Sequence, residues 1–249
     1  MTTAARTQVA ALLIAAARRL RDAVGGYFSS PSLPGLVTLN PLVYAGAAFE
    51  EYVAKWGTTE RRVLFLGMNP GPWGMAQTGV PFGEVSVVRD WLGITAPIGR
   101  PTETHPKYPI DGWGCRRSEV SGRRLWGLFV KRFVTPEAFF AEHFVANYCP
   151  LLFVGDGGNV TPDRLPKEVR APLFEACDEH LRETIAALRP RFVVGVGNFA
   201  ATRALAAGVA AAVAVVLHPS PASPRSNSDW AGTVSRQLVE QGVWKHHIE

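Results

Sequence analysis

Residues 61–85 read RRVLFLGMNPGPWGMAQTGVPFGEV, and the change of character within this stretch decides the fold. Val63-Leu64-Phe65-Leu66 is a short apolar run without helical period, which predicts a buried strand. Gly67, Pro70, Gly71, Pro72 and Gly74 follow, and they neither continue a strand nor start a long helix easily. A core strand therefore ends in a stiff, glycine-rich loop. In an open α/β sheet, ligands bind beyond the carboxyl ends of the strands. Asn69 is the polar side chain at that lip, although an Asn there serves equally well as a plain turn residue.

A second stretch has the same design. Val213 to Leu217 is an apolar run that ends in His218-Pro219-Ser220-Pro221-Ala222-Ser223-Pro224-Arg225. One proline-stiffened loop delivers an Asn and the other a His. Between and around them, helical periodicity predicts helices over 4–23, 44–55, 84–92, 121–134, 172–188, 198–207 and 230–241. Apolar runs predict strands over 62–66, 144–147, 192–196 and 213–217. Residues 29–36, 97–118 and 155–166 read as loops, the last as a rim. Alternating strands and helices predict an α/β fold of three layers, α/β/α, around a mostly parallel four-stranded sheet. The chain reads as a single domain over 1–249, with helix 4–23 packed on it. Gly195-x-Gly197 starts like a dinucleotide fingerprint, but position 200 is Ala, so no nucleotide cofactor is expected.

Composition narrows the function. The 249 residues suffice for one full core, and no apolar run reaches the ~18 residues of a membrane span. Val9 to Ala17 runs straight into Arg18, Arg19 and Arg21, which suits an amphipathic helix better than a signal peptide. The net charge of +5 permits a nucleic-acid partner without requiring one. Arg116, Arg117, Arg123, Arg124, Lys131 and Arg132 cluster in one part of the chain, as a solvated face also would. Cys115, Cys149 and Cys177 are odd in number and contain no CxxC pair. Neither a zinc site, an iron–sulfur cluster nor a disulfide framework is expected, and reduced thiols suit a cytoplasmic or nuclear setting.

GMNPGPWGMAQTGVPFGEV together with HPSP resembles the single-strand-selective monofunctional uracil-DNA glycosylases of the uracil-DNA glycosylase superfamily. The resemblance extends to SVVRDWLGI (86–94), SEVSGRRLWG (118–127) and NYCPL (147–151), and spans roughly residues 40 to 245. It implies hydrolysis of the bond between a damaged base and deoxyribose in single- and double-stranded DNA, leaving an abasic site, without metal or cofactor. It also implies a nuclear protein in a eukaryote, or a nucleoid-associated one in a prokaryote. A monomer is expected.

The resemblance assigns roles residue by residue. Asn69 positions the attacking water. Its amide is no strong base, which a dissociative transition state tolerates. His218 donates to uracil O2 as negative charge develops on the leaving base. Asn147 reads uracil N3–H and O4 together, a pattern that cytosine reverses. Phe82 stacks on the base, and Met68 and Met75 line the pocket. Gly71 stands where narrow-specificity relatives carry a tyrosine, so it leaves room at uracil C5, often for a water, and implies acceptance of 5-hydroxymethyluracil. Pro219, Ser220, Pro221, Ala222, Ser223 and Arg225 form the wedge that enters the duplex, although Ala222 stands where vertebrate relatives carry arginine. Ser118, Ser121, Arg123 and Arg124 are candidates for phosphate contacts. No motif supplies a lysine for strand cleavage. Two further readings keep the fold: activity on xanthine or hypoxanthine, and a damaged-DNA-binding protein without chemistry.

Overall fold

The computed structural model describes residues 3–25, 33–221 and 226–246. Four parallel strands form the main sheet: β2 (Val63–Gly67), β3 (His143–Asn147), β6 (Phe192–Val196) and β7 (Ala212–Val216), in the order β3-β2-β6-β7. Val63 pairs with His143 on one side and Phe192 on the other, and Phe192 with Ala212. β2 and β6 are buried throughout, as continuous apolar runs in an inner parallel sheet must be. β7 is the edge, and it alternates between exposed and buried residues. Its free backbone is covered by a side chain: Gln241 accepts from Val215 N and donates to Val215 O, both at 2.9 Å. That pairing imitates a fifth strand and blunts an open edge.

Helices flank both faces. α1 (Thr3–Gly25) lies against α7 (Lys167–Leu188) and α3 (Gly46–Trp56), held by Arg19 to Glu183 and Arg18 to Glu50, each at 2.7 Å. On the other side, α5 (Val120–Phe133) and α6 (Pro136–Phe140) press an aromatic cluster onto β2 and β3. Phe129 and Phe139 stack at 4.3 Å, and Phe139 stacks on His143 at 5.0 Å. α8 (Asn198–Ala206) follows β6, and α9 (Trp230–Glu240) closes the chain beside β7. Gly195 is the reason α8 packs so closely, because a Cβ there would collide with the Ala201 backbone. The half-fingerprint at 195–197 thus has a packing role. Among the described residues, no helix is long and apolar enough to cross a membrane.

Three sequence expectations need correction. The 155–166 loop is largely a hairpin: β4 (Leu152–Gly155) pairs with β5 (Gly158–Val160) and with β1 (Val37–Leu39), making a second, antiparallel sheet. These strands are too short to carry a period. The 84–92 helix forms over 85–91, but it widens to a π turn over Val87–Trp91, with Leu92 N bonded to Val87 O. α7 begins at Lys167, ahead of Pro172, because a proline near the amino end removes only one helical hydrogen bond. Of the expected loop at 29–36, residues 29–32 lie outside the described residues, and 33–36 form a turn.

Candidate active site

β2, β3 and β7 end at one edge of the sheet, and the loops after β2 and β7, with the start of α5, enclose a cleft of about 510 Å³. Met68, Asn69, Gly71, Met75, Phe82, Ser121, His218, Ser220 and Pro221 all line it. Asn69 sits where β2 turns outward. Its Nδ2 faces two carbonyl oxygens, Leu151 O at 3.2 Å and Pro70 O at 3.4 Å. Two acceptors there require the NH₂ end of the amide, so the Asn69 carbonyl oxygen is the end left for the cleft. Met68 O accepts from Cys149 N at 2.8 Å, which fastens the same loop to the 147–151 segment.

His218 is oriented as firmly. The backbone N–H of Ser220 donates to Nδ1 at 3.1 Å. Burial pushes the imidazole down to about 4, so the ring is neutral near pH 7. A neutral ring whose Nδ1 accepts carries its proton on Nε2. Gly197, at φ +92°, makes room beside it: a Cβ would come within 3.2 Å of His218 Cβ. Arg124 spans from α5 to donate to Pro219 O at 2.8 Å, and Ser226 Oγ donates to His218 O at 2.6 Å. Arg124 is therefore a tether for this loop. Arg123 is exposed on α5 and lies outside the cleft lining. Ala222, Ser223 and Arg225, expected in a wedge, lie outside the described residues.

Phe82 adopts a left-handed backbone conformation, φ +55°, which is strained for an aromatic residue. The surroundings over-determine it. Trp126 Nε1 donates to Pro81 O at 3.2 Å, and Thr78 Oγ1 accepts from Val80 N at 3.2 Å. Gly122 of α5 lies against the Phe82 carbonyl so closely that a Cβ would collide with it. Gly67 likewise lacks a side chain where the Phe82 ring and Asn147 Oδ1 meet.

Asn147 is placed differently from the other site residues. It is buried behind Phe82 and lines a small cavity of about 30 Å³, room for about one water. Met75 belongs to both cavities, and its sulfur accepts from Asn147 Nδ2 at 3.3 Å. Asn147 Oδ1 is buried with no hydrogen-bond partner. An acceptor in that state costs about 1–3 kcal/mol until something donates to it.

The expectation of open room at Gly71 is corrected. The space a Cβ would take there holds the carboxylate of Glu119, and Gly74 faces the same side chain, with a Cβ 2.9 Å from Glu119 Cγ. Two motif glycines thus admit a half-buried carboxylate into the wall of the cleft. Burial raises its pKa above the ordinary glutamate value; the backbone N–H groups of Ser121 and Trp73 act the other way, and nearby Glu84 adds to the rise. Glu84 in turn accepts from Glu119 N at 2.6 Å and Ser118 Oγ at 3.2 Å, joining the first motif to the start of α5. Sequence reasoning missed Glu119, and also Asn159 and Thr161, which reach the cleft from the β4–β5 hairpin. The available signal was the pair Gly71 and Gly74, two small residues on one side of a loop.

A model of the uracil DNA glycosylase superfamily matches residues 54–238. The chain is 48% identical over 212 residues to the single-strand selective monofunctional uracil DNA glycosylase of Bos taurus, covering 83% of this chain and 78% of that protein. To its Mus musculus counterpart it is 47% identical, covering 83% and 76%. A crystal structure of WT Pedobacter heparinus SMUG2 has the same fold, with a TM-score of 0.54 at 18% identity over 80% of this chain and 87% of that one. With this identity and with the Asn69 and His218 loops at the ends of parallel strands, the chain belongs to the single-strand selective monofunctional family of the uracil DNA glycosylase superfamily.

Proposed function

We propose that the protein hydrolyses the N-glycosidic bond of uracil and of 5-substituted uracils such as 5-hydroxymethyluracil in single- and double-stranded DNA, leaving an abasic site. One observation carries the reading: Asn69 and His218 face the same cleft, each with the orientation of its polar atoms dictated by neighbouring backbone. The Asn69 carbonyl oxygen holds a water against the sugar carbon. His218 Nε2–H donates to uracil O2 and stabilises the base as it departs with the bond electrons. The water oxygen bonds to the sugar carbon and loses its proton to solvent, so the abasic site keeps a hydroxyl.

Base selection falls to the inner wall. The target nucleotide must leave the stack to reach this depth. Phe82 stacks on the uracil ring. The orphaned Asn147 Oδ1 accepts from N3–H, and Nδ2 exchanges its weak contact with Met75 for uracil O4. Cytosine presents the opposite pattern and leaves both groups unpaired. Beside Gly71, the Glu119 carboxylate suits a substituent that donates a hydrogen bond, such as a hydroxymethyl group. A methyl group would only desolvate it, which disfavours thymine. Among the described residues no lysine lines the cleft, in keeping with base removal alone. We take the protein to act as a monomer on DNA, with Pro219 to Pro221 and the residues after them as the wedge.

The test is an end-labelled oligonucleotide panel holding uracil, 5-hydroxymethyluracil, xanthine, hypoxanthine or thymine, followed by alkali. Uracil-dependent breaks that appear only after alkali, and vanish in Asn69→Ala, are expected. Breaks without alkali would overturn the monofunctional assignment. Preference for xanthine or hypoxanthine would move the substrate to purines.

A further inference from the structure

A second cleft, of about 730 Å³, opens beside the first, and Trp73 lines both. It is built from the long 97–118 segment, which joins no strand of either sheet. The Trp73 and Tyr108 rings lie 5.6 Å apart, and the Arg117 guanidinium covers the Trp73 ring at 4.4 Å. Arg116, exposed, makes no ion pair among the described residues. Lys107, Arg116 and Arg117 outnumber the one acid in the lining, Asp111.

This cleft is anchored to the catalytic loop by Gln77, a buried residue of the first motif. Its Nε2 donates to Pro72 O at 2.8 Å and Pro109 O at 2.9 Å. Its Oε1 accepts from Asp111 N at 2.9 Å and Gly112 N at 3.1 Å. One side chain thus locks the outer segment to the loop that carries Asn69.

We infer that this aromatic and basic cleft is the track for the unpaired strand on one side of the target nucleotide. Phosphates lie against Arg116 and Arg117, and a flanking base stacks on Tyr108, whose ring is backed by Trp73. Duplex DNA presents phosphates but no base face, so the aromatic pair selects strands whose bases are free to unstack. This rests on the glycosylase reading, because the track is useful only where it leads into the base cleft.

The test uses wild type, Tyr108→Ala and Arg116→Glu, none of which alters a residue of the catalytic cleft. Binding is measured with oligothymidylate, single-stranded or annealed, and excision with a uracil trinucleotide and with single strands of about 15 nucleotides. Wild type should bind the longer single strand more tightly than the duplex. Tyr108→Ala should lose about tenfold on single strands and change duplex binding less than about twofold. Arg116→Glu, a surface change with little risk to folding, should flatten the salt dependence of log Kd by at least about 0.7. Excision from the trinucleotide should be unaffected by either change. Equal losses on duplex and single strand, or no loss on either, would overturn the inference. Failure of wild type to release uracil from any substrate, with these binding effects intact, would instead remove the glycosylase reading and leave the track standing.

Discussion

The two loops that build the site are held in different ways. The Asn69 loop is supported both from inside its own motif, where Thr78 braces Val80 and Gln77 braces Pro72, and by the 147–151 segment, where Leu151 O accepts from Asn69 Nδ2 and Cys149 N donates to Met68 O. The His218 loop is held by α5 and by the chain that leads into α9. Arg124 holds Pro219 O, Ser226 holds His218 O, and Trp230 Nε1 holds Leu217 O at 2.9 Å. The water side of the chemistry thus leans on turns of its own motif and on the neighbouring 147–151 segment, whereas the leaving-group side is held by α5 and by the chain leading into α9.

The sharpest break of this comparison removes one functional group from each loop. His218→Ala is expected to cost about 10²–10³ in the single-turnover excision rate, with the melting temperature nearly unchanged. A comparable loss in Asn69→Ala would show that both loops act in the same step. Little loss in His218→Ala would mean that the leaving base is stabilised elsewhere.

Acid separates stability from chemistry. Burial holds His143 at about 4 against an ordinary 6.5, and its ring accepts from Trp244 Nε1 at 3.1 Å. The unfolded chain takes up this proton first. His143 therefore contributes its full stabilisation above pH 6.5, and the contribution is lost as the pH falls toward about 4. The loss is on the order of 3 kcal/mol, measurable by urea unfolding at stepped pH. His218 and His180 are lowered to about 4 in the same way and add to that loss of stability, but His218 stays neutral near pH 6.5, so the excision rate should show no inflection there. An inflection there would place a charged imidazole in the reaction.

Gly122→Ala tests the Asn69 loop from α5, because its Cβ meets the Phe82 carbonyl. It should destabilise by about 1–3 kcal/mol and slow excision by shifting Phe82. Arg124→Ala tests the tethered loop. Loss of the bond to Pro219 O should lower kcat/KM about tenfold, in line with a charge-assisted hydrogen bond, while thermal stability changes little. If Gly122→Ala left excision untouched and Arg124→Ala abolished folding, the division drawn between the loops would be reversed. The smallest effect is expected at Glu119→Gln. The amide still fits beneath Gly71, so uracil excision should change little, while the ratio of 5-hydroxymethyluracil to uracil excision should fall a few-fold.

The parallel strands were legible because apolar runs such as Val63–Leu66 and Phe192–Val196 need no partner to be recognised. The β4–β5 hairpin was not, because strands of three and four residues gain their identity only from pairing with β1. Asn69 and His218 were legible as polar residues set in proline at strand ends. Glu119 was not, since nothing near it in the chain announces that it fills the space left by Gly71.

What the chain determines by itself is what depends on neighbours a few positions away: apolar runs, helical periods, and loops stiffened by Gly and Pro. These suffice for a parallel α/β sheet with an Asn and a His at its carboxyl edge. Tertiary structure alone decides the neutral state of the buried His218 ring, the strained backbone of Phe82, the buried acceptor of Asn147 and the carboxylate beside Gly71. Each of these arises where segments distant in sequence come within hydrogen-bonding or van der Waals reach. Desolvation and steric fit exist only once those segments are packed together.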